Sequence, residues 1–298
     1  MVSPASLPVP DQTGRTVVVT GANSGLGFEA SKRLASAGAH VVLAVRDEKK
    51  GEEAARRIGG STEVRLIDTS SLASVRAFAA TAPDRIDVLV NNAGVMATDE
   101  TRTVDGFELQ FATNYLGAFA LTALLLPRIT DRVVMTSSLA HYGGRLVFDD
   151  LNRTRRRYSR WAAYSDSKLA DLLFAFDLQA RFSEAGSPLR AMAAHPGMAG
   201  TNLTRDLHVP APVSAVSEAL LRGLGQSAAA GALPTLLAAT ARDLPGGSFV
   251  GPSGIAEVRG APMVVGSSRT SRKRGLQQRL TAESERLTGV RLVVPEPR

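Results

Sequence analysis

The 298-residue chain contains no cysteine. Disulfides, thiolate nucleophiles and cysteine metal centres are therefore excluded. Four histidines (His40, His141, His195 and His208) are scattered without the short spacing that zinc ligands need, so no metal site is expected. The longest apolar run, "AFALTALLLP" at 118–127, is about half a membrane span. The opening "MVSPASLPVPDQTG" has no basic segment followed by an apolar one, the mark of a secretory signal. These absences predict a soluble, cytoplasmic protein with no integral membrane segment. Aromatic residues make up only 5% of the chain, with one tryptophan, Trp161. That scarcity bears on the net charge of +7, much of which lies in "RTRRRYSR" at 153–160 and "RTSRKR" at 269–274. Neither cluster is interleaved with a row of aromatics, so no nucleic-acid partner is expected. The first cluster reads as a solvated face and the second as a disordered terminus.

What is present is a repeating alternation. "TVVVT" (16–20), "HVVLAV" (40–45), "EVRLI" (63–67), "DVLVN" (87–91), "RVVMTS" (132–137) and "LRAMAAH" (189–195) are short apolar runs separated by helical patterns. Continuous apolar strands between helices mean a parallel sheet covered on both faces. Six such units in order predict a single-domain α/β protein, a doubly wound Rossmann fold. The core spans about 14–260, residues 198–225 form a substrate lid, and 261–298 are a C-terminal extension. An Ala/Gly-rich stretch at 223–241 still reads as helix.

The first strand runs into "TGANSGLG" (20–27). Gly21, Asn23, Ser24, Gly25, Leu26 and Gly27 lie where a strand turns sharply into a helix N-terminus. Exposed amides there favour a pyrophosphate, and glycine lets the backbone approach it closely. The spacing is G-x-x-x-G-x-G rather than the G-x-G-x-x-G fingerprint. At the end of the second strand, where an acidic residue would accept hydrogen bonds from the adenosine ribose of NAD, the chain has Arg46. A guanidinium fork matches a 2′-phosphate, so NADP(H) is expected in preference to NAD(H), with Asp47 as the competing reading. "DTS" (68–70), "NNAG" (91–94), "TSS" (136–138) and "HPG" (195–197) lie at further strand ends, where this fold builds its ligand crevice.

Tyr164 and Lys168, in "AYSDSKLA", are four positions apart in a helical segment, which stacks them on one face. Moving a phenol pKa from about 10 to near 7 takes roughly 4 kcal/mol of phenolate stabilisation, and an ammonium supplies part of it. The pair is a tuned acid/base or a surface tyrosine packed on a lysine stem. His141 reads as a satisfied structural histidine more readily than as a substrate contact. Trp161 and Tyr158 wall the substrate site or pack under the insertion.

Taken with Asn114 in "FATNYLG", these motifs occur in an order that resembles the short-chain dehydrogenase/reductase family from about Gly14 to about Gly260. "RDEKKG", "SSLAHYGGRLVFDDLN", "AYSDSKLA" and "HPGMAGTNL" carry a closer likeness to the retinol dehydrogenase-like branch, which also holds many bacterial oxidoreductases. The resemblance implies that Gly21, Gly25, Leu26 and Gly27 hold the pyrophosphate and Arg46 the 2′-phosphate. Asp68 and Thr69 would meet the adenine, and Asn92, Ala93 and Gly94 the ribose. Pro196 and Gly197 would shape the nicotinamide end, with Thr201 bonding its carboxamide. The family's catalytic set maps onto Asn114, Ser138, Tyr164 and Lys168. The implied activity is NADP(H)-dependent interconversion of a carbonyl and an alcohol on a moderately apolar small molecule. Tyr164 would be the acid/base, Ser138 would orient the substrate oxygen, and Lys168 would lower the tyrosine pKa and hold the nicotinamide ribose. The alternative is an NAD(P)-binding sensor without turnover. Family members often pair through the helices bearing the Asn114 and Tyr164 positions, so a homo-oligomer is expected. The Arg-rich insertion between Ser138 and Tyr164 departs from compact members of the family.

Overall fold

The computed structural model describes residues 8–198 and 226–295. Strand β1 (Thr16–Thr20) leads to α1 (Gly25–Ser36), β2 (His40–Val45), α2 (Glu48–Ile58), β3 (Thr62–Leu66), α3 (Leu72–Thr81) and β4 (Ile86–Asn91). Helix α4 begins as Leu109–Phe111, widens to a π-turn at Ala112–Leu116 and continues as Gly117–Leu125. After β5 (Ile129–Thr136) come the 25-residue α5 (Arg160–Glu184), β6 (Arg190–Ala194), α6 (Leu233–Thr240), β7 (Phe249–Pro252), β8 (Pro262–Val264) and α7 (Arg274–Thr288).

The sheet order is β3-β2-β1-β4-β5-β6-β7-β8. All pairs are parallel except β7 with β8. Valines of β1 explain the layering. Val17 and Val19 face one core with Leu34 of α1 and Leu236 of α6, while Val18 faces the other with Phe111, Phe119 and Phe174. Side chains alternate across a strand, so an all-valine strand serves two helical layers at once. The first two strands fall where the sequence predicts them, and the others within a few residues.

Three expectations need correction. The sheet has two strands beyond the six predicted, β7 and the antiparallel edge β8, each too short to stand out in the sequence. The C-terminal region is ordered among the described residues, and α7 docks on α5. Leu280 is fully buried, and Asp177 of α5 accepts hydrogen bonds from Arg274 and from Thr281 (2.7 Å). The Tyr115 hydroxyl of α4 pairs with Ser284 at 2.7 Å, and Arg272 of the basic run lies 3.9 Å over the Phe176 ring. Finally, the Arg-rich insertion is only partly a solvated face. Arg155 and Arg157 are exposed, but Arg153 is buried, with φ +51°, and donates to Asp166 at 2.6 Å, with Arg156 joining at 3.2 Å. The insertion is thereby bolted to α5 two residues past Tyr164.

The apolar stretch Leu109–Arg128 is long enough to cross a membrane by length and composition, and 83% of its most apolar window is buried inside the protein. It forms α4 and the turn after it.

Candidate cofactor and catalytic site

In the sheet order, β1 lies between β2 and β4, so the chain reverses direction across the sheet there, and a crevice opens at the strands' C-terminal ends. The β1 and β4 ends are tied together at that point. Thr20 Oγ1 accepts from the backbone N–H groups of Asn92 and Ala93, both at 2.9 Å, and the Asn92 side-chain amide donates to Thr20 O at 2.9 Å. Gly21 (φ +67°) and Gly25 (φ +56°) take left-handed backbone conformations at the turn into α1. A Cβ on Gly27 would fall 2.4 Å from the Gly21 carbonyl oxygen. Glycine is thus required for the turn to close under α1.

A cavity of about 450 Å³ starts at this turn. Gly21, Asn23, Ser24, Gly25 and Leu26 line its floor, Arg46, Asp68 and Thr69 one end, and Asn92, Ala93 and Gly94 its middle. Tyr164, Lys168 and Pro196 line the other end. Sequence-predicted residues from six separate segments therefore meet in one space. Gly27, Asn114, Ser138 and Gly197 stand outside its lining, and Thr201, with nearly all of the expected lid, lies outside the described residues.

At the Arg46 end the two competing side chains have different fates. Asp47 caps α2, accepting from Lys50 N at 3.1 Å and pairing with Lys50 Nζ at 3.2 Å. The hydrogen bond from the Lys50 backbone holds its carboxyl below the ordinary value. Arg46 is exposed at the cavity edge with no such partner in the cap, and Lys50, not singled out from the sequence, lines the same space. The two cations share that end with Asp47, which pairs with Lys50, and with Asp68.

At the other end, α5 presents Tyr164, Lys168 and Asp171 on successive turns, all at most 7% exposed. Lys168 Nζ sits 5.8 Å from the Tyr164 ring centroid and donates to Thr136 O (2.8 Å) and Asp171 Oδ2 (2.9 Å). Burial opposes the Lys168 charge, yet the Asp171 carboxylate beside it holds its pKa above the ordinary value. Burial pushes Asp171 up to about 7 against the pull of Lys168. Asp171 is a residue the sequence reading passed over. The available signal was its three-residue offset from Lys168, which places it on the same helix face.

Ser138 follows the cavity-lining Thr136 and Ser137 at the end of β5 and starts a 3₁₀ turn, Leu139–Gly143. Its Oγ accepts from Ala140 N at 3.2 Å, leaving its hydroxyl proton free to donate. The turn lies against α5: a Cβ on Gly144 would meet the Ser165 carbonyl oxygen at 2.6 Å. Asn114 sits in the π-turn of α4. Its Oδ1 accepts from Val95 N (2.8 Å), and its Nδ2 donates to Val95 O (3.0 Å) and Ser167 Oγ (2.9 Å). It fixes the 94–95 segment to α5. π-Turns within α-helices are often found where side chains must be re-aimed at a site.

His141, His195 and Tyr158 make hydrogen bonds within the fold. His141 is buried, with Nδ1 on Ser138 O (2.7 Å) and Nε2 accepting from Ser268 N (3.1 Å). His195 Nε2 contacts Glu257 at 2.9 Å and its Nδ1 accepts from Gly197 N at 3.2 Å, so it shapes the turn. The Tyr158 hydroxyl joins Gln110, Thr98 and Glu108, whereas Trp161 is half exposed.

The sequence model for short chain dehydrogenases matches residues 15–210. The chain is 42% identical over 254 residues to the polyprenol dehydrogenase of Danio rerio, covering 80% of this chain and 78% of that one. It is 45% identical over 204 residues to retinol dehydrogenase 13 of Homo sapiens, a match spanning 64% of this chain and 61% of the relative. An uncharacterized protein from Mycobacterium Paratuberculosis has a crystal structure that superposes with a TM-score of 0.85 at 50% identity, over 98% of this chain and 99% of that one.

Proposed function

The chain belongs to the short-chain dehydrogenase family, and from that premise we propose that it is an NADP(H)-dependent oxidoreductase using Tyr164 as its acid/base. Membership makes it a retinol dehydrogenase-like oxidoreductase of the carbonyl–alcohol type, in a family that binds NAD(P). The observation that carries the finer reading is the single cavity whose lining joins the Gly21–Leu26 turn and Arg46 to Tyr164 and Lys168.

The residues present fit a dinucleotide phosphate. The turn residues Gly21, Asn23, Ser24, Gly25 and Leu26 line the cavity, and the Arg46 guanidinium lines the end where a 2′-phosphate would lie. Gly21, Asn23, Ser24, Gly25 and Leu26 would hold the pyrophosphate, with Gly27 letting α1 close beneath the turn, and Asp68 and Thr69 would hold the adenine. Asn92, Ala93 and Gly94 would line the ribose, and Pro196, Gly197 and Thr201 the nicotinamide. When bound, the cofactor supplies or accepts a hydride at nicotinamide C4.

The chain's own groups then manage a proton. In reduction Tyr164 donates its phenolic proton to the substrate oxygen, and in oxidation the phenolate takes it back. Lys168 stabilises the phenolate, and its ammonium is aimed by Thr136 O and Asp171. The free Ser138 hydroxyl proton donates to the same oxygen as charge develops there. Asn114 keeps the Gly94–Val95 wall in register with α5. The substrate class is a moderately apolar carbonyl or alcohol, in keeping with relatives named for polyprenol and retinol.

NADPH oxidation across a panel of apolar aldehydes and ketones tests this reading, with Tyr164→Phe as control. Turnover with at least one member, reduced by about 10²–10⁴-fold in the variant, is the expected result. Tight NADPH binding without turnover, unchanged by the substitution, would make the chain a cofactor-binding protein instead.

A further inference from the structure

Asp171 is a buried carboxylate that enters the mechanism above only by helping to aim Lys168. It is 1% exposed, Oδ2 lies 2.9 Å from Lys168 Nζ, and Oδ1 makes no hydrogen bond. Its charge is therefore poorly shared, and Lys168 is the cation that meets it. The ionisable groups it acts on are Lys168 on α5, which Tyr164 also faces, and Tyr115 from α4; burial pushes the Tyr115 phenol up, and Asp171 adds to that push. Asp177, which also acts on Tyr115, is already paired with Arg181 and Arg274. From β5 the contact to the pair is the neutral Thr136 carbonyl.

We propose that Asp171 is a positioning residue: its carboxylate fixes the Lys168 ammonium against Thr136 and opposes the field by which that ammonium favours the Tyr164 phenolate. The inference rests on the assignment of Tyr164 and Lys168 given above. A cation beside the phenol eases proton loss, while an anion two turns further along the helix resists it. Asp171 thus offsets part of the Lys168 field at the phenol, while the Thr136 carbonyl keeps a second hold on the ammonium.

The sign of the test is fixed by electrostatics. Removing an anion makes every neighbouring group lose its proton more easily, so both limbs of the oxidation profile move to lower pH. Tyr164 and Asp171 are seven residues apart, about 10 Å along the helix. At an effective dielectric of about 20, one charge at that distance is worth about one pH unit.

The experiment is an ultraviolet titration of tyrosinate in the intact protein without substrate, the Tyr164→Phe spectrum being subtracted, for wild type and Asp171→Asn. Alcohol oxidation is followed over the same alkaline range. The Tyr164 transition is expected about one pH unit lower in Asp171→Asn, with the oxidation profile following it. An unmoved or raised transition overturns the proposal, as does a lowered melting temperature with an unmoved profile, which would mark Asp171 as merely structural. Asp171→Ser is read in the same way should the asparagine variant fail to fold. If Tyr164→Phe keeps wild-type turnover, the assignment of Tyr164 falls; if that variant is inactive while the Asp171→Asn profile stays put, only the role of Asp171 falls.

Discussion

In the NADP(H) reading proposed above, cofactor choice would turn on Arg46, because the residue beside it is engaged in a helix cap. Asp47 lines the same cavity but gives its carboxylate to the first turn of α2, which makes it a weaker acceptor for the ribose 2′-hydroxyl of NAD. A charge-assisted hydrogen bond is worth about 1.5–3 kcal/mol. Arg46→Ala is therefore expected to weaken NADPH binding about 10–100-fold while changing NADH binding little, measured by energy transfer from Trp161 to the bound nicotinamide. Equal weakening of both nucleotides would deny Arg46 that role. At this scale the sequence was informative wherever a pair's spacing carried the chemistry: Tyr164 and Lys168 are one helical turn apart. It was silent where the reason lies across the fold. A Cβ on Gly117 would fall 2.0 Å from the Thr69 carbonyl oxygen, a contact between α4 and the β3–α3 loop that no local pattern announces. Asp171 went unnoticed because it is one of four acids in α5, with Asp166, Asp177 and Glu184, and no local pattern marks it as buried.

Among the elements, α7 changes the picture most. Its apolar positions, Leu276, Leu280 and Leu287, form a narrow stripe in an otherwise polar helix, which is why the tail read as disordered. In the fold that stripe packs on the main core, and Arg274, Thr281 and Ser284 tie it to α5 and α4. The helix thereby covers part of the same two helices that the family resemblance offers for pairing between copies. Leu280→Ala removes a fully buried side chain and is expected to cost about 2–5 kcal/mol. Urea unfolding would read this as a lower midpoint with an unchanged slope. An unchanged midpoint would mean that α7 adds nothing to the fold. The valine-rich strands β1, β2 and β4 were legible because burial on both faces removes the need for alternation. The short β7 and β8 were not, since a few residues give too little pattern to separate a strand from a turn.

In the molecule as a whole, sheet topology converts scattered motifs into one site. The glycine turn, Arg46, the Asn92–Gly94 wall and the Tyr164–Lys168 pair are far apart in sequence, and the parallel order of strands brings their ends to one crevice. That is why the site could be read from strand-end motifs in sequence order, while the ion pairs that hold Lys168 and the insertion in place could not. The central claim is proton transfer by Tyr164 coupled to hydride transfer within that crevice. The measurement that tests it most directly is mass analysis of the alcohol formed from an apolar aldehyde and NADPH deuterated at nicotinamide C4, for wild type and Tyr164→Phe. Deuterium is expected at the former carbonyl carbon with wild-type protein and almost none with the variant. Tight cofactor binding with no label in the product, or equal labelling by both proteins, would contradict it.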